Sequence, residues 1–95
     1  MEYTRRMLFM VIERFKPGCV PLISERFGRQ GRMLPAGVVY HASWVEAGGN
    51  RCFQVMEAAN AGLLTEWVGR WRDLVDFEIV PIVTSSDFWA GRQPG

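Results

Sequence analysis

A histidine, a serine and a glutamine on two neighbouring segments are the residues of this sequence best suited to acid–base chemistry. His41 is the only histidine of the chain, and imidazole is the side chain that takes up and releases protons near neutral pH. Ser43 lies two residues further on, and Gln54 occupies the next apolar segment. If the two segments pair about a turn at Gly48-Gly49, the three polar groups share one face of a hairpin. A pocket with a few convergent polar groups is the usual form of a small-molecule site.

We interpret His41 as a general base, with Ser43 and Gln54 as hydrogen-bonding partners of a ligand. Tyr40 and Met56 complete the ligand-binding set, because a tyrosine hydroxyl can donate to an oxyanion and Met56 would lie opposite His41 in the hairpin. The alternative is that His41 is a structural or interface histidine whose ring nitrogens form hydrogen bonds with polar neighbours. Both alternatives stay open at the level of the sequence.

Three carboxylates on predicted strands and two cysteines offer further chemistry. A carboxylate on a covered sheet face has a raised pKa and can serve acid–base work, whereas one at a strand end pairs with arginine or water. These residues are Glu13, Glu57, Glu78, Cys19 and Cys52. The cysteines lie outside any Cys-x-x-Cys motif, and with one histidine they give no standard metal-ligand spacing. We therefore expect free thiols, no metal site and no cofactor.

A strand–helix–strand pattern that occurs twice must position these side chains. The first segment is apolar on both alternations, which indicates a strand covered on both faces. The predicted strands cover residues 7–15, 38–46, 51–58 and 76–84, and the predicted helices cover residues 19–30 and 60–74. In the first helix Val20, Ile23 and Phe27 recur at helical spacing and form one apolar stripe.

The element order β-α-β-β-α-β predicts an α+β, ferredoxin-like sandwich. Right-handed crossovers and the central hairpin favour an antiparallel sheet of order 4-1-3-2, with both helices on one face. Pro81 cannot donate a ladder hydrogen bond, so the fourth strand should lie at an edge. We expect one domain over residues 7–84, a disordered lead-in or extension at residues 1–6, and a C-terminal tail at residues 85–95.

The composition indicates a covered second sheet face and a self-interface. Of the 95 residues, 48% are hydrophobic, including four Trp, six Phe and five Met, and large aromatic residues are enriched in interface cores. We therefore expect a homodimer, with a monomer of apolar surface as the alternative. The formal net charge of +1 argues against nucleic acid and anionic membranes as partners. No apolar run approaches the ~20 residues of a membrane span and no signal-peptide pattern precedes the first strand, so we expect a cytoplasmic protein.

The block GRMLPAGVVYHASW, residues 31–44, is the most specific part of a likeness that runs from Met7 to about Trp89. With MLFMVIERF before it and LLTEWVGRWRDLVDFEIVPIVTS after it, the sequence resembles a family of short bacterial proteins catalogued as a domain of unknown function. The resemblance implies the dimeric α+β barrel group, in which two ferredoxin-like sheets close face to face. Members of that group include cofactor-free monooxygenases, haem-degrading enzymes and muconolactone isomerases, and the resemblance assigns no catalytic residue.

We therefore expect a homodimer that binds a small hydrophobic or aromatic molecule in an apolar pocket between sheet and helices. Its enzymatic form would be a cofactor-independent monooxygenase or isomerase with His41 as base. The alternative is a non-catalytic ligand-binding or structural dimer. RNA-recognition modules share the element order, but here Arg51 is followed by Cys52 where their signature has glycine, and the net charge is near zero.

Overall fold

A four-stranded antiparallel sheet organises the chain in the computed structural model, which describes residues 6–92. The strands are β1 (Met7–Phe15), β2 (Val39–Val45), β3 (Arg51–Ala58) and β4 (Val75–Ile82), and the helices are α1 (Val20–Gln30), α2 (Ala61–Val68) and α3 (Ser85–Ala90). The strands are arranged in the order β2-β3-β1-β4. Read from the other edge this is the predicted order 4-1-3-2, so the ferredoxin-like α+β prediction is confirmed.

The central strand β1 pairs along its length with β3 on one side and with β4 on the other. This leaves β4 at the edge of the sheet, as Pro81 predicted. Pro81 lies opposite Phe9 of β1. An edge strand tolerates proline because its outer side needs no backbone donor.

The second helix is shorter than its apolar pattern predicted. It begins after Asn60, whose side-chain oxygen accepts a hydrogen bond from the Leu63 amide at 3.2 Å, as expected for an N-cap. The predicted helix ran to residue 74, but α2 ends at Val68. Beyond it the chain continues in tighter turns, with the Trp71 amide donating to the Val68 carbonyl at 3.0 Å. Apolar spacing alone cannot separate such turns from helix, because both bury residues at intervals of three or four.

Alternate residues of the strands divide between a face packed by helices and an open face. The helix-facing side chains of the strands form the core together with side chains of α2, and its most deeply buried residues are Phe9, Val11, Met56, Leu64, Trp67 and Val75. The opposite face is covered less. Trp44 on β2 is 58% exposed there.

One backbone carbonyl ties the loop before β2 to the region around α2. The Arg32 carbonyl oxygen accepts hydrogen bonds from the indole Nε1 of Trp67 at 2.8 Å and of Trp71 at 2.9 Å. The next carbonyl, of Met33, accepts from Arg70 Nη1 at 2.6 Å. Met33 has a φ of 58°, in the left-handed region that side chains rarely adopt. The loop therefore holds a strained conformation through three side-chain donors.

Residues at both ends of the described chain make hydrogen bonds within it. Arg6 contacts the Glu57 carboxylate through its guanidinium and donates to the Gly37 carbonyl at 3.0 Å. The rest of the predicted lead-in, residues 1–5, and residues 93–95 of the predicted tail lie outside the described residues. The tail begins with α3, where Thr84 Oγ1 accepts from the Asp87 amide at 3.0 Å.

Replacing Trp71 with phenylalanine should destabilise the protein by about 1–3 kcal/mol. The substitution removes one of the two indole donors to the Arg32 carbonyl and part of a ring that is 5% exposed. Urea unfolding followed by circular dichroism measures the change. The matched control is Trp89→Phe, because Trp89 is 56% exposed and should change stability by less than about 0.5 kcal/mol. Equal effects of the two substitutions would contradict the role given to the indole pair.

Candidate functional site

A cavity of about 430 Å³ lies between α1 and the sheet. The apolar stripe of α1, Val20, Ile23 and Phe27, forms one wall, and no residue of that helix is buried. Trp67 and Trp71 contribute another wall. The stripe predicted from helical spacing is therefore present: Ile23 packs against the core, whereas Val20 and Phe27 stay largely exposed beside the cavity.

A polar anchor holds α1 beside the chain that follows α2. Arg26 donates to both carboxylate oxygens of Asp73, at 2.8 and 2.6 Å, and to the Arg70 carbonyl at 3.0 Å. Its guanidinium also lies 5.4 Å from the Trp71 ring centroid. This pairing holds the pKa of Asp73 below its usual range. The helix is thus fixed by a bidentate contact at its outer side, which leaves room beneath it.

Two buried polar side chains lie among the apolar walls of the cavity. Glu13 on β1 is 8% exposed and Gln54 on β3 is 5% exposed. Gln54 Nε2 donates to Glu13 Oε2, and Gln54 Oε1 accepts from Arg32 Nε at 3.0 Å. Because arginine can only donate, the Gln54 amide oxygen must face Arg32 and its nitrogen must face Glu13.

The hydrogen bonds continue from Arg32 to β2. Arg32 Nη2 donates to Ser43 Oγ at 3.3 Å, and Ser43 Oγ lies 2.7 Å from the Tyr40 hydroxyl. The guanidinium carbon is 3.7 Å from the Tyr40 ring centroid and 5.3 Å from that of Phe27. Stacking against aromatic faces favours a cation and keeps it planar at this position. We call the residues Glu13, Gln54, Arg32, Ser43 and Tyr40 the polar chain.

The pKa of the Glu13 carboxyl group is shifted toward neutral pH. Burial raises its pKa to about 7, against the opposing effects of the Gln54 hydrogen bond and the Arg32 charge. Near neutral pH the group is therefore present both as carboxylate and as carboxylic acid. A group with this property can accept and donate protons at the working pH of most proteins.

The two cysteines are both free. Burial, with a smaller contribution from Glu13, raises the pKa of the Cys52 thiol to about 11. Cys52 is therefore a thiol at neutral pH and a poor nucleophile, since the thiolate is the reactive form. Within residues 6–92 no group of three or more His, Cys, Asp or Glu side chains could hold a metal ion. No helix among these residues is long and apolar enough to cross a membrane.

The hairpin register is as predicted near the turn, where Ser43 lies opposite Gln54. The register still holds where Ala42 lies opposite Val55, and it changes at the next pair, where Tyr40 rather than His41 lies opposite Met56. A bulge at His41 shifts the register there. The predicted arrangement of His41 with Ser43 and Gln54 on one face is therefore wrong, because an inserted residue exchanges the faces of the residues before it.

His41 instead lies on the open face of the sheet. Its Nε2 is 2.8 Å from Glu57 Oε1, and its side chain is 43% exposed. The contacts with His41 and Arg6 hold the pKa of Glu57 below its usual range. His41 is not among the residues that line the cavity, and Met56 is fully buried in the core. Three of the predicted ligand-binding residues, Gln54, Ser43 and Tyr40, are members of the polar chain.

Sequence reasoning missed Arg32, and it left Glu13 between two roles, an acid–base group on a covered face and a strand-end partner of arginine or water. A basic residue between Gly31 and an apolar Met-Leu pair reads as an ordinary loop position. Glu13 carried a usable signal, because it continues the alternation of Phe9 and Val11, both of which face the core. A carboxylate at the next position of that alternation indicates a buried acid.

Residues 7–94 match the family described as Domain of unknown function (DUF3303), and the chain belongs to that family. Among solved structures, the chain is similar to a protein of Bacteroides thetaiotaomicron VPI-5482 provisionally named an antibiotic biosynthesis monooxygenase. The TM-score is 0.56 at 14% identity, covering 85% of this chain and 90% of that one. A NIPSNAP family protein of unknown function from Agrobacterium tumefaciens C58 gives a TM-score of 0.46 at 15% identity, covering 88% and 94% of the two chains. A comparison with curated proteins gave no match. At these identities the first structure shows the fold alone.

Replacing Glu13 with glutamine should change how stability depends on pH. The folded-state pKa of about 7 exceeds the ordinary glutamate value of 4.5, so the folded protein holds this proton more tightly than the unfolded chain. The stabilisation of the folded state by this proton is fully present below pH ~4.5 and is lost as the pH rises through ~7. Between these limits the wild type should lose on the order of 3 kcal/mol relative to Glu13→Gln.

Urea unfolding at a series of pH values measures this difference, and other titrating groups cancel because both proteins carry them. The control is Glu25→Gln, which removes a surface carboxylate that pairs with Arg29 on α1. Its stability difference from the wild type should be nearly constant over the same pH range. A constant difference for Glu13→Gln as well would show that the pKa of Glu13 is ordinary.

Proposed function

We propose that this protein binds a small, mostly apolar molecule in the cavity between α1 and the sheet. The observation that carries the proposal is the burial of Glu13 and Gln54 in a space that α1 leaves unfilled. Burying a carboxyl group costs free energy. A buried carboxyl group beside an unfilled apolar cavity is typical of a binding site. The volume of about 430 Å³ is in the range of small-molecule pockets.

The walls favour a flat ring as the body of the ligand. Phe27 presents the largest exposed aromatic surface, the buried Trp67 and Trp71 border the cavity, and Val20 and Ile23 add aliphatic surface. Aromatic walls bind flat rings through offset and edge contacts. The polar end of such a ligand would meet Glu13, Gln54 and Arg32.

We further propose that the protein is a homodimer joined through the open face of its sheet. Paired positions on that face carry apolar side chains across all four strands. These side chains are Leu8, Met10, Ile12, Ala42, Trp44, Phe53, Val55, Val80 and Ile82. Glu57 and Glu78 also lie on this face, but a monomer rarely leaves apolar side chains from all four strands together in water. A second copy would close the two sheets into the α+β barrel that the sequence resemblance implies.

The enzymatic form of this proposal is a cofactor-independent monooxygenase or isomerase. The shared fold with a protein named as an antibiotic biosynthesis monooxygenase supports it, although one fold carries many functions. A non-catalytic ligand-binding dimer is the alternative, and the same cavity supports it. The role of His41 as base stays a prediction, and its contact with Glu57 on the open face does not favour that role.

Filling the cavity from α1 should weaken binding without unfolding the protein. A Cβ at Gly28 would meet nothing within 4 Å, and Gly28 lines the cavity. Gly28→Leu should weaken the binding of 2-naphthol at least about tenfold. It should also stabilise the helix by roughly 0.5–1 kcal/mol, because glycine is a poor helix former.

Binding is followed by the NMR signals of the indole N–H groups of Trp67 and Trp71, two residues that line the cavity. Gly28→Ala is the matched control, since it gains the same helix propensity with little added volume. It should bind 2-naphthol within about threefold of the wild type. The proposal is wrong if wild-type indole signals show no saturable shift, or if Gly28→Leu binds as well as Gly28→Ala.

A charge on the open face should separate the dimer. Trp44→Asp places a carboxylate where the partner's sheet would pack, and burying an unpaired charge there is costly. Sedimentation equilibrium should find a wild-type dimer and a Trp44→Asp monomer. Leu22→Asp is the control, because Leu22 is 51% exposed on α1 and the variant should remain dimeric. A monomeric wild type would contradict the dimer.

A further inference from the structure

We propose that Glu13 transfers protons to and from a carbon of the bound molecule, and that Arg32 holds the oxygen anion formed meanwhile. The substrate class is then a small cyclic ketone or enol with an acidic C–H next to its carbonyl. This inference rests on the proposed binding function and deepens it. It assigns the chemistry to two residues of the polar chain and to neither His41 nor a metal.

The Glu13 carboxyl is held from one side only. It projects from the central strand β1 into the cavity, where it is 8% exposed. Among the residues that the structure describes, Gln54 is its one hydrogen-bond donor, and that bond goes to Oε2. The second oxygen, Oε1, is left for a ligand. With a pKa raised by burial to about 7, this oxygen is a usable base near neutral pH.

Arg32 is a cation with unused donors at the same cavity. Its Nε donates to Gln54 and its Nη2 to Ser43. A guanidinium carries five N–H groups, so three have no protein acceptor within residues 6–92. No carboxylate forms a salt bridge with it in the same part of the chain, which leaves its charge available to an anionic oxygen. Away from bulk water such an interaction is strong.

Gln54 sets the spacing between the base and the cation. Its amide nitrogen contacts Glu13 and its amide oxygen contacts Arg32. The nitrogen and oxygen of an amide are separated by two bonds. The α carbon and oxygen of a ketone are also separated by two bonds, so a ketone lying beside this amide could present its C–H to Glu13 and its oxygen to Arg32.

The proton transfer is balanced with water as the only further reactant. The Glu13 carboxylate takes a proton from the α carbon. The C–H electron pair becomes the carbon–carbon double bond, and the carbonyl π pair moves to oxygen as the enolate that Arg32 holds. Protonated Glu13 exchanges its proton with a water molecule and then delivers a proton, either to the same carbon or, in a conjugated substrate, to the γ carbon. The outcome is exchange of the α hydrogen with solvent or double-bond migration, with no oxidant needed.

The exchange of the α protons of 2-tetralone in D2O, followed by proton NMR, tests the inference. The wild type should accelerate exchange in a saturable way, and the rate should fall as the pH drops below ~7. Glu13→Gln should lower the exchange rate at least about 100-fold while binding 2-tetralone within about threefold of the wild type. Arg32→Gln should lower the rate by about 100-fold, and Glu25→Gln should leave it unchanged.

Gln54→Leu tests the bridging role through the pH profile. The Gln54 hydrogen bond lowers the pKa of Glu13, so its loss should move the midpoint of the exchange rate to higher pH. A substitution that only loosened the fold would lower the rate without moving the midpoint. An unmoved midpoint would overturn the positioning role of Gln54.

A failure to bind 2-tetralone can be distinguished from a failure to accelerate its exchange, because the Trp67 and Trp71 indole signals report binding in the same samples. If 2-tetralone causes no saturable indole shift, both the binding proposal and this inference are overturned. If it binds but exchange is not accelerated, or Glu13→Gln exchanges as fast as the wild type, the inference alone is overturned and the binding proposal stands.

Discussion

The double hydrogen bond to the Arg32 carbonyl is the interaction on which the rest of the structure depends. Trp67 and Trp71 are both buried, and each buried indole needs an acceptor for its N–H. One carbonyl oxygen with two lone pairs serves both, at 2.8 and 2.9 Å. Because the backbone of Arg32 is fixed in this way, its side chain is directed to Gln54, which in turn contacts Glu13.

The cavity follows from how α1 is attached. Apolar packing would draw its stripe onto the sheet, but Arg26 instead ties the helix to Asp73 and the Arg70 carbonyl. No residue of α1 is buried, and Gly28 contributes no side chain to the space below. The helix thus forgoes hydrophobic stabilisation that it could have had. A space kept open at this cost, beside a buried acid and a cation, is what the proposed ligand would fill.

Strand alternation, the Gly48-Gly49 turn and Pro81 predicted the strand order and most of the register, because these signals are local and the sheet's period of two is strict. The site was predicted less well. A one-residue bulge at His41 moved that side chain to the other face, and a bulge leaves no clear mark in β-branched and aromatic sequence. Arg32 was missed because its position depends on indole donors 35 and 39 residues away, a contact that no local pattern encodes.

A crystal structure of the protein grown with 2-naphthol would show whether the cavity is a binding site. We expect the ring to lie between α1 and the sheet, against Phe27, Trp67 and Trp71, with its hydroxyl within hydrogen-bonding distance of Glu13 or Arg32. We also expect α1 to stay in place, held by Arg26 and Asp73. If α1 instead packs onto the sheet and closes the cavity, or 2-naphthol binds only elsewhere, the cavity is not the site.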